Sequence, residues 1–422
     1  MYTVTRLGTD SAVTEGASLN AEGHVVGGAG GVADPRGTVW SGYSGAAIAH
    51  LPEHHTWLSD ITDDGDAVGV RKAWSDAQEA ILFRNGTMTD LGSIVGGTSW
   101  ATAVNEQGTL CGWRKAQDGT FSAFLYDYLA GALQQIDPLP GKSNVMALAI
   151  NDIGYVVGQS EDHAFLRTAD GQLIDLGPGI AQGINNLGQI VGASTASGAS
   201  TDVPTMWDAS SGAPVQSQIP LPPGFASGSA TSINEAGEVV GSGYKSPSGG
   251  DQYAFVFSGG VSADLNTLIT GSDVADWTLN SAGRINQAGQ IAGTGTYGRP
   301  GEAVMCGYCL TPVRSPIRGG LTLGDLAALL IFGGVVNDGG GLVVLGSGAG
   351  VHVGPWGPPD WSQLQVAKRD AIAGLALDEM ARHLQDPAMR ETVRRAALEG
   401  VRQRVDALLQ SPNAGARAPR RL

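Results

Sequence analysis

Residues 1–312 are predicted to be all-β: a seven-bladed β-propeller of four-stranded blades, closed by the N-terminal strand. A small C-terminal α+β module with a helical hairpin is predicted to follow. Three observations lead there. One nine-residue phrase is written seven times, short apolar strands follow each copy, and a composition with 64 Gly and 20 Pro favours turns over long helices. The phrase reads apolar, Asn, two variable residues, Gly, one residue, two apolar residues, Gly. It stands as LNAEGHVVG (Leu19 to Gly27), ITDDGDAVG (Ile61 to Gly69), VNEQGTLCG (Val104 to Gly112) and INDIGYVVG (Ile150 to Gly158). INNLGQIVG (Ile184 to Gly192), INEAGEVVG (Ile233 to Gly241) and INQAGQIAG (Ile285 to Gly293) complete it. The Asn position recurs about every 44 residues, the length of a four-stranded blade.

Asn followed three residues later by Gly is the chemistry of a type I turn closed by a left-handed residue. The Asn side chain bonds back to the backbone, and Gly takes a positive φ without a Cβ clash. The structural turn residues are therefore Asn20, Asn105, Asn151, Asn185, Asn234 and Asn286, with Thr62 in the second copy. The left-handed glycines are Gly23, Gly65, Gly108, Gly154, Gly188, Gly237 and Gly289. Adjacent apolar residues such as Val156 and Val157 point to opposite faces of a strand. Both faces are thus expected to be buried between stacked sheets.

A second apolar segment follows each turn: GTVW (Gly37 to Trp40), AILF (Ala80 to Phe83), AFLY (Ala123 to Tyr126), AFLR (Ala164 to Arg167), PTMW (Pro204 to Trp207), AFVF (Ala254 to Phe257) and AVMC (Ala303 to Cys306). A further element ends near Leu-Gly or Leu-Pro, as in TMTDLG (Thr87 to Gly92) and QLIDLG (Gln172 to Gly177), with looser versions at Asp137 to Pro140 and Ala263 to Asn266. The seventh copy stops at CLTP (Cys309 to Pro312) without that element, while the chain opens on a remnant of one, TVTRLG (Thr3 to Gly8). Joining the two closes the ring and removes the open edges of a strand stack.

Ala149-Ile150-Asn151-Asp152, Gly154, Val156-Val157-Gly158, His163-Ala164-Phe165-Leu166 and Asp175-Leu176-Gly177 together resemble the HAF repeat family over residues 1–312. These are bacterial proteins described as extracellular repeats. The resemblance implies the repeat fold and an extracellular location, and carries no established reaction. The opening MYTVTRLGTD lacks the basic-then-apolar pattern of a signal peptide.

Beyond the repeats, residues 313–320 read as a linker and residues 321–360 as a small helix plus β-hairpin module. The helix is opened by Thr322 and Asp325, the hairpin turns over Asn337-Asp338-Gly339, and Trp356 is a packing anchor. Residues 361–410 read as two helices with apolar stripes at Ala373, Leu377, Met380, Leu384 and at Val393, Ala397, Val401, Val405, Leu408. Residues 411–422 read as a disordered basic tail. A helical hairpin has too little core to stand alone, so it is expected to dock or to self-associate into a homo-oligomer.

Net charge is -15, and residues 361–422 carry 11 Lys+Arg against 7 Asp+Glu, so the acidic excess lies in residues 1–360. Such a body repels phosphate backbones and argues against nucleic acid as a partner. The longest apolar run, LAALLIFGGVV (Leu326 to Val336), is too short for a bilayer. No catalytic, cofactor-binding or metal-binding residue is assigned. Cys306 and Cys309 imitate a redox C-x-x-C but sit in a strand context, where a spacing of three sends the thiols to opposite faces. ITDDGD (Ile61 to Asp66) lacks the remaining ligands of a calcium loop, and His54-His55 and His163 read as loop or packing residues.

The sequence favours a non-catalytic scaffold that presents propeller loops to a protein or glycan partner. The inserted segments Ser41 to Leu58, Trp113 to Phe121, Ser194 to Val203 and Tyr244 to Asp251 are its expected contact regions. A polysaccharide-acting hydrolase or lyase at the channel mouth and a structural assembly subunit stand as alternatives.

Overall fold

The computed structural model describes residues 1–313 apart from 9–13, 31–33, 54, 73–77, 196–201, 247–248, 273 and 300, together with residues 334–336, 342–344 and 352–353. Residues 1–314 and 315–422 separate into two compact units. In the second unit the described residues form one antiparallel sheet, Gly334–Val336 against Leu342–Val344 and the latter against His352–Val353. Apart from Val313, the predicted linker lies outside the described residues, as do the predicted helices, Trp356, the hairpin turn and the basic tail.

The first unit is a β-propeller of antiparallel four-strand sets. Thr14–Leu19, His24–Ala29, Arg36–Ser41 and Ala47–His50 make the first set. Thr56–Ile61 to Thr87–Asp90, Thr98–Val104 to Ala132–Ile136, and Ser227–Ile233 to Val261–Asp264 repeat that meander. Between them lies a seven-stranded sheet from Met146 to Gln218. Its 12-residue strand Leu173–Ile184 ends one repeat and begins the next. The first strands of successive repeats pack side by side around a ring, and the last, Trp277–Ile285, packs against Thr14–Leu19. Tyr2–Arg6 pairs antiparallel with Val304–Pro312, so the N-terminal strand completes the seventh repeat's sheet.

The turns follow from the phrase. Its seven left-handed glycines have φ between 74 and 89°, and each donates its N–H to the carbonyl of the Asn or Thr three residues earlier at 3.0–3.3 Å. The apolar pairs explain the packing. Val156 joins a buried cluster with Cys111, Ala147 and Phe165, while Val157 joins another with Ala164, Ile190 and Trp207. Among the described residues the core is divided into seven such clusters, each between neighbouring repeats, and every apolar pair of the phrase sends one residue to each side.

The last glycine of the phrase has a separate cause. Each first strand carries a β-bulge at the third residue before the turn residue. That bulge drives the strand's backbone onto the second strand. A Cβ on Gly27, Gly69, Gly112, Gly158, Gly192, Gly241 or Gly293 would lie 1.9–2.2 Å from the carbonyl oxygen of Glu15, Trp57, Trp100, Met146, Ile180, Ser229 or Ser281 respectively. No side chain fits there.

One register differs from expectation. AVMC (Ala303 to Cys306) was expected to match AFLR and its equivalents, but Gly293 pairs with Tyr308 as Gly158 pairs with Phe165. The equivalent segment is therefore Gly307-Tyr308-Cys309-Leu310, four residues later. Tyr308, buried like Phe165, supplies the aromatic that AVMC lacks.

Candidate functional site: the central channel

At one mouth of the channel the turns are locked into two concentric hydrogen-bond rings. In the inner ring each Asn Oδ1 accepts the N–H four residues ahead within its own turn at 2.8–3.0 Å. Its Nδ2 donates to the turn residue's carbonyl in the next repeat. The order is Asn20 to Thr62, Asn105 to Asn151, Asn151 to Asn185, Asn185 to Asn234, Asn234 to Asn286, and Asn286 back to Asn20, at 2.9–3.2 Å. All seven turn residues are buried. Thr62 has no amide to donate, and the junction it faces is bridged instead by Asp60, whose Oδ2 accepts the Val104 N–H at 3.1 Å.

The outer ring uses the residue after each turn residue. Ala21 N–H donates to Asp63, Asp63 to Glu106, Glu106 to Asp152, Asp152 to Asn186, Asn186 to Glu235, and Glu235 to Gln287, with shortest distances of 2.8–3.1 Å. Three consecutive carboxylates, Asp63, Glu106 and Asp152, thus stand side by side. Partial burial, together with the Asp63, Asp152 and Asp64 charges, pushes Glu106 up to about 7 against the lowering effect of the Asp63 N–H. A carboxyl whose pKa rises on folding stabilises the fold while protonated. That contribution is complete below about pH 4.5 and is lost as pH climbs through about 7. Glu106→Gln keeps the acceptor and removes the charge. It is expected to raise the melting temperature at pH 8 and leave it unchanged at pH 4; an equal shift at both would rule out the charge as the cause.

The channel wall alternates. Residues four before the turn residue are buried in all seven repeats, whereas those three and five before it are partly exposed toward the axis. Nearer the turns the lining is Ala17, Ser59, Thr102, Leu148, Gln182, Thr231 and Gly283. Buried Asp60 sits below it, accepting from Ser18 Oγ at 2.6 Å and lying 3.6 Å from the Arg284 guanidinium. Toward the other mouth the five-before residues are Glu15, Trp57, Trp100, Met146, Ile180, Ser229 and Ser281. Trp57 lies against the bare backbone of Gly28, and the Trp100 Nε1 donates to Ser59 Oγ at 2.8 Å. Trp113 stacks at 6.1 Å from Trp100, with Phe121 edge-on at 5.5 Å from Trp113.

The inserted segments leave their second strands at Lys115, Thr195 and Tyr244, all ends remote from the Asn turns. The segment from Ser41 to Leu58 crosses the molecule, turning at Gly42–Ala46 near the Asn turns and at Leu51–His55 on the other side, with residue 54 outside the described residues. The remaining singled-out residues are scattered. Cys306 and Cys309 are free and buried in different clusters, and burial pushes Cys309 up to about 12, far from a reactive thiolate. His163 Nδ1 meets Asp175 at 2.9 Å, so the His of the HAF segment and the Asp of the DLG segment pair with each other on neighbouring strands. Among the described residues no group of three His, Cys, Asp or Glu is placed to hold a metal ion, and no helix is long and apolar enough to cross a membrane.

No protein-family model and no curated protein sequence matches the chain. Solved structures do. The β-propeller domain of the trilobed protease from Pyrococcus furiosus is 11% identical, covering 62% of this chain and 84% of that chain, with a TM-score of 0.40. TolB from Acinetobacter baumannii is 9% identical over 50% of this chain with a TM-score of 0.36, and this chain spans only 54% of it. An oligogalacturonate lyase solved with manganese is 14% identical, covering 74% of this chain and 93% of that chain, with a TM-score of 0.45.

Proposed function

We propose that residues 1–312 are a seven-bladed propeller of the HAF-repeat kind, sealed by the N-terminal strand. It serves as a non-catalytic binding scaffold whose glycan or protein ligand enters at the mouth remote from the Asn turns. Seven turns, seven first strands and seven inter-repeat clusters support the blade count, with the Leu173–Ile184 strand shared by two blades. The C-terminal quarter is proposed to dock or oligomerise the propeller, and the family resemblance supports an extracellular setting.

The contrast between the two mouths carries the reading. At the Asn mouth the polar side chains are spent: Asp63, Glu106, Asp152 and Glu235 each hold a neighbour's backbone N–H. Inside, Asp60 is held by Ser18, Val104 and Arg284. These carboxylates hold the turns together, so a ligand that engaged them would have to compete with backbone N–H donors. The other mouth offers half-exposed aromatic surface on the inner strands and the segments that follow Lys115, Thr195 and Tyr244, the composition of a recognition surface.

The full-length protein, immobilised and probed with a glycan array and a pull-down, tests this with two variants. Trp100→Ala is expected to weaken capture of whatever binds at least tenfold, while Glu235→Gln at the Asn mouth leaves it intact. The reverse pattern would move the ligand to the Asn mouth and overturn the proposal.

A further inference from the structure

We infer that the collar of residues lining the mouth remote from the Asn turns is a binding site for an uncharged saccharide, one pyranose of which lies across Trp57 and Trp100. The inference rests on the reading of that mouth as the ligand side. Its basis is the order of residues around the ring. Four consecutive repeats contribute Trp57, Trp100, Met146 and Ile180, and the remaining three contribute Ser229, Ser281 and Glu15. Because the first strands follow one another around a closed ring, the apolar residues form one continuous arc and the polar residues the arc facing it. A pyranose has the same division: axial C–H bonds make an apolar face, and hydroxyls project from its edge. A lipid tail, apolar all round, has no such two-sided demand.

Both tryptophans are held ready. The Trp57 ring occupies the space that a Cβ on Gly28 would need, 2.5 Å from its nearest ring atom, so a glycine there seats the indole. Trp100 is fixed by its hydrogen bond to Ser59 and by Trp113 behind it. Rigid aromatic surface binds with little ordering cost. One layer deeper, Ser59, Thr102, Gln182 and Thr231 offer hydroxyl and amide groups to sugar hydroxyls. Thr102 and Thr231 donate to backbone carbonyls of the next repeat, leaving oxygen lone pairs as acceptors. Gln182 donates to Ser229 Oγ at 2.9 Å and so links the two layers. Charge narrows the class. Glu15 lies in the collar and the whole chain carries -15, so a uronate or sulfated sugar meets repulsion that a neutral one does not.

The test uses the full-length protein with cellohexaose, xylohexaose, maltohexaose, chitohexaose and hexagalacturonate, each followed by calorimetry and by tryptophan fluorescence. At least one of the four neutral oligosaccharides is expected to bind and shift the indole emission, and hexagalacturonate is not. Trp100→Ala and Trp57→Ala each weaken that binding at least tenfold. Trp57→Phe, which keeps an aromatic face, retains it within about threefold, and unchanged melting curves show that the variants fold. Binding that survives both alanine variants overturns the inference, as does hexagalacturonate as the sole ligand or silence from all five sugars. A protein partner captured through Trp100 with no sugar bound would leave the scaffold reading standing and the saccharide site refuted.

Discussion

A chain that begins at Thr9 is expected to lose the sealed junction between its last and first repeats and to melt at least about 10 °C lower than the intact protein. Residues Tyr2–Arg6 make a five-residue antiparallel ladder with Val304–Pro312 and a short parallel contact with Ile269–Thr270. Leu7, 1% exposed, fills the cluster with Leu19, Val25, Trp40, Ala292 and Cys309. Removing one buried leucine costs about 2–5 kcal/mol, a large part of a typical margin of about 5–15 kcal/mol, before the lost ladder is counted. The naked edge of Val304–Pro312 also invites pairing between copies. Two measurements check this: a calorimetric melt and thiol labelling under native conditions. Cys309 should become reactive, while Cys111, buried between the third and fourth repeats, stays silent. A melting temperature within a few degrees of the parent with an unreactive Cys309 would show that the N-terminal strand is an ornament.

The second large effect belongs to a glycine with an ordinary backbone conformation. Gly158→Ala places a methyl 2.0 Å from the Met146 carbonyl oxygen and 3.0 Å from the Phe165 ring, and the oxygen belongs to the bulged inner strand, which has nowhere to retreat. Overpacking of this kind costs about 3 kcal/mol or more. Gly154→Ala, in the same phrase, has open space, its nearest neighbour being the Ala169 Cβ at 3.6 Å. It suffers only from φ of 81°, a penalty of about 1–2 kcal/mol. Urea unfolding should therefore rank Gly158→Ala as the more damaging. Equal midpoints, or the opposite order, would mean that the inner strand yields and the bulge is soft.

Those two glycines mark the boundary of what the sequence could tell. Gly154 was readable, because Asn-x-x-Gly between apolar runs has a local cause, a turn of five residues. Val156-Val157 was readable for the same reason, since alternation along a strand is a local geometry. Gly158 was visible but unexplained, because the atom that forbids its side chain belongs to Met146, twelve residues back across a bulge. The Asn amide was half understood: its bond within the turn follows from spacing, but its bond to the next repeat spans 34 to 52 residues. The acceptors Asp63, Glu106, Asp152, Asn186, Glu235 and Gln287 occupy a position that reads as variable in any single copy. Stacking the seven copies shows six side-chain acceptors in that column, the one signal that could have found the outer ring. The same stacking displays the Trp57 and Trp100 column, but only the bulge says that it faces the axis. In the seventh repeat the segment equivalent to AFLR lies four residues beyond AVMC, and the pattern is obscured there because Tyr308 stands where the other copies carry Phe, Ile or Thr.

The two hydrogen-bond rings are interrupted at different places: the inner one after Thr62, the outer one between Gln287 and Ala21, which has no acceptor to offer. Every junction between neighbours therefore keeps at least one cross-link at that end of the molecule. At the opposite end the cross-links come from hydroxyls six residues before the turn residue: Thr14, Thr56 and Ser99 accept the backbone N–H of Gly307, Gly37 and Ala80 in the preceding repeat. Those neighbouring repeats are therefore stitched at both rims, by amides and carboxylates at one and by hydroxyls at the other. A junction tied at both rims, as that between the second and third repeats is, resists tilting as well as separation and so holds Trp57 and Trp100 at a fixed spacing.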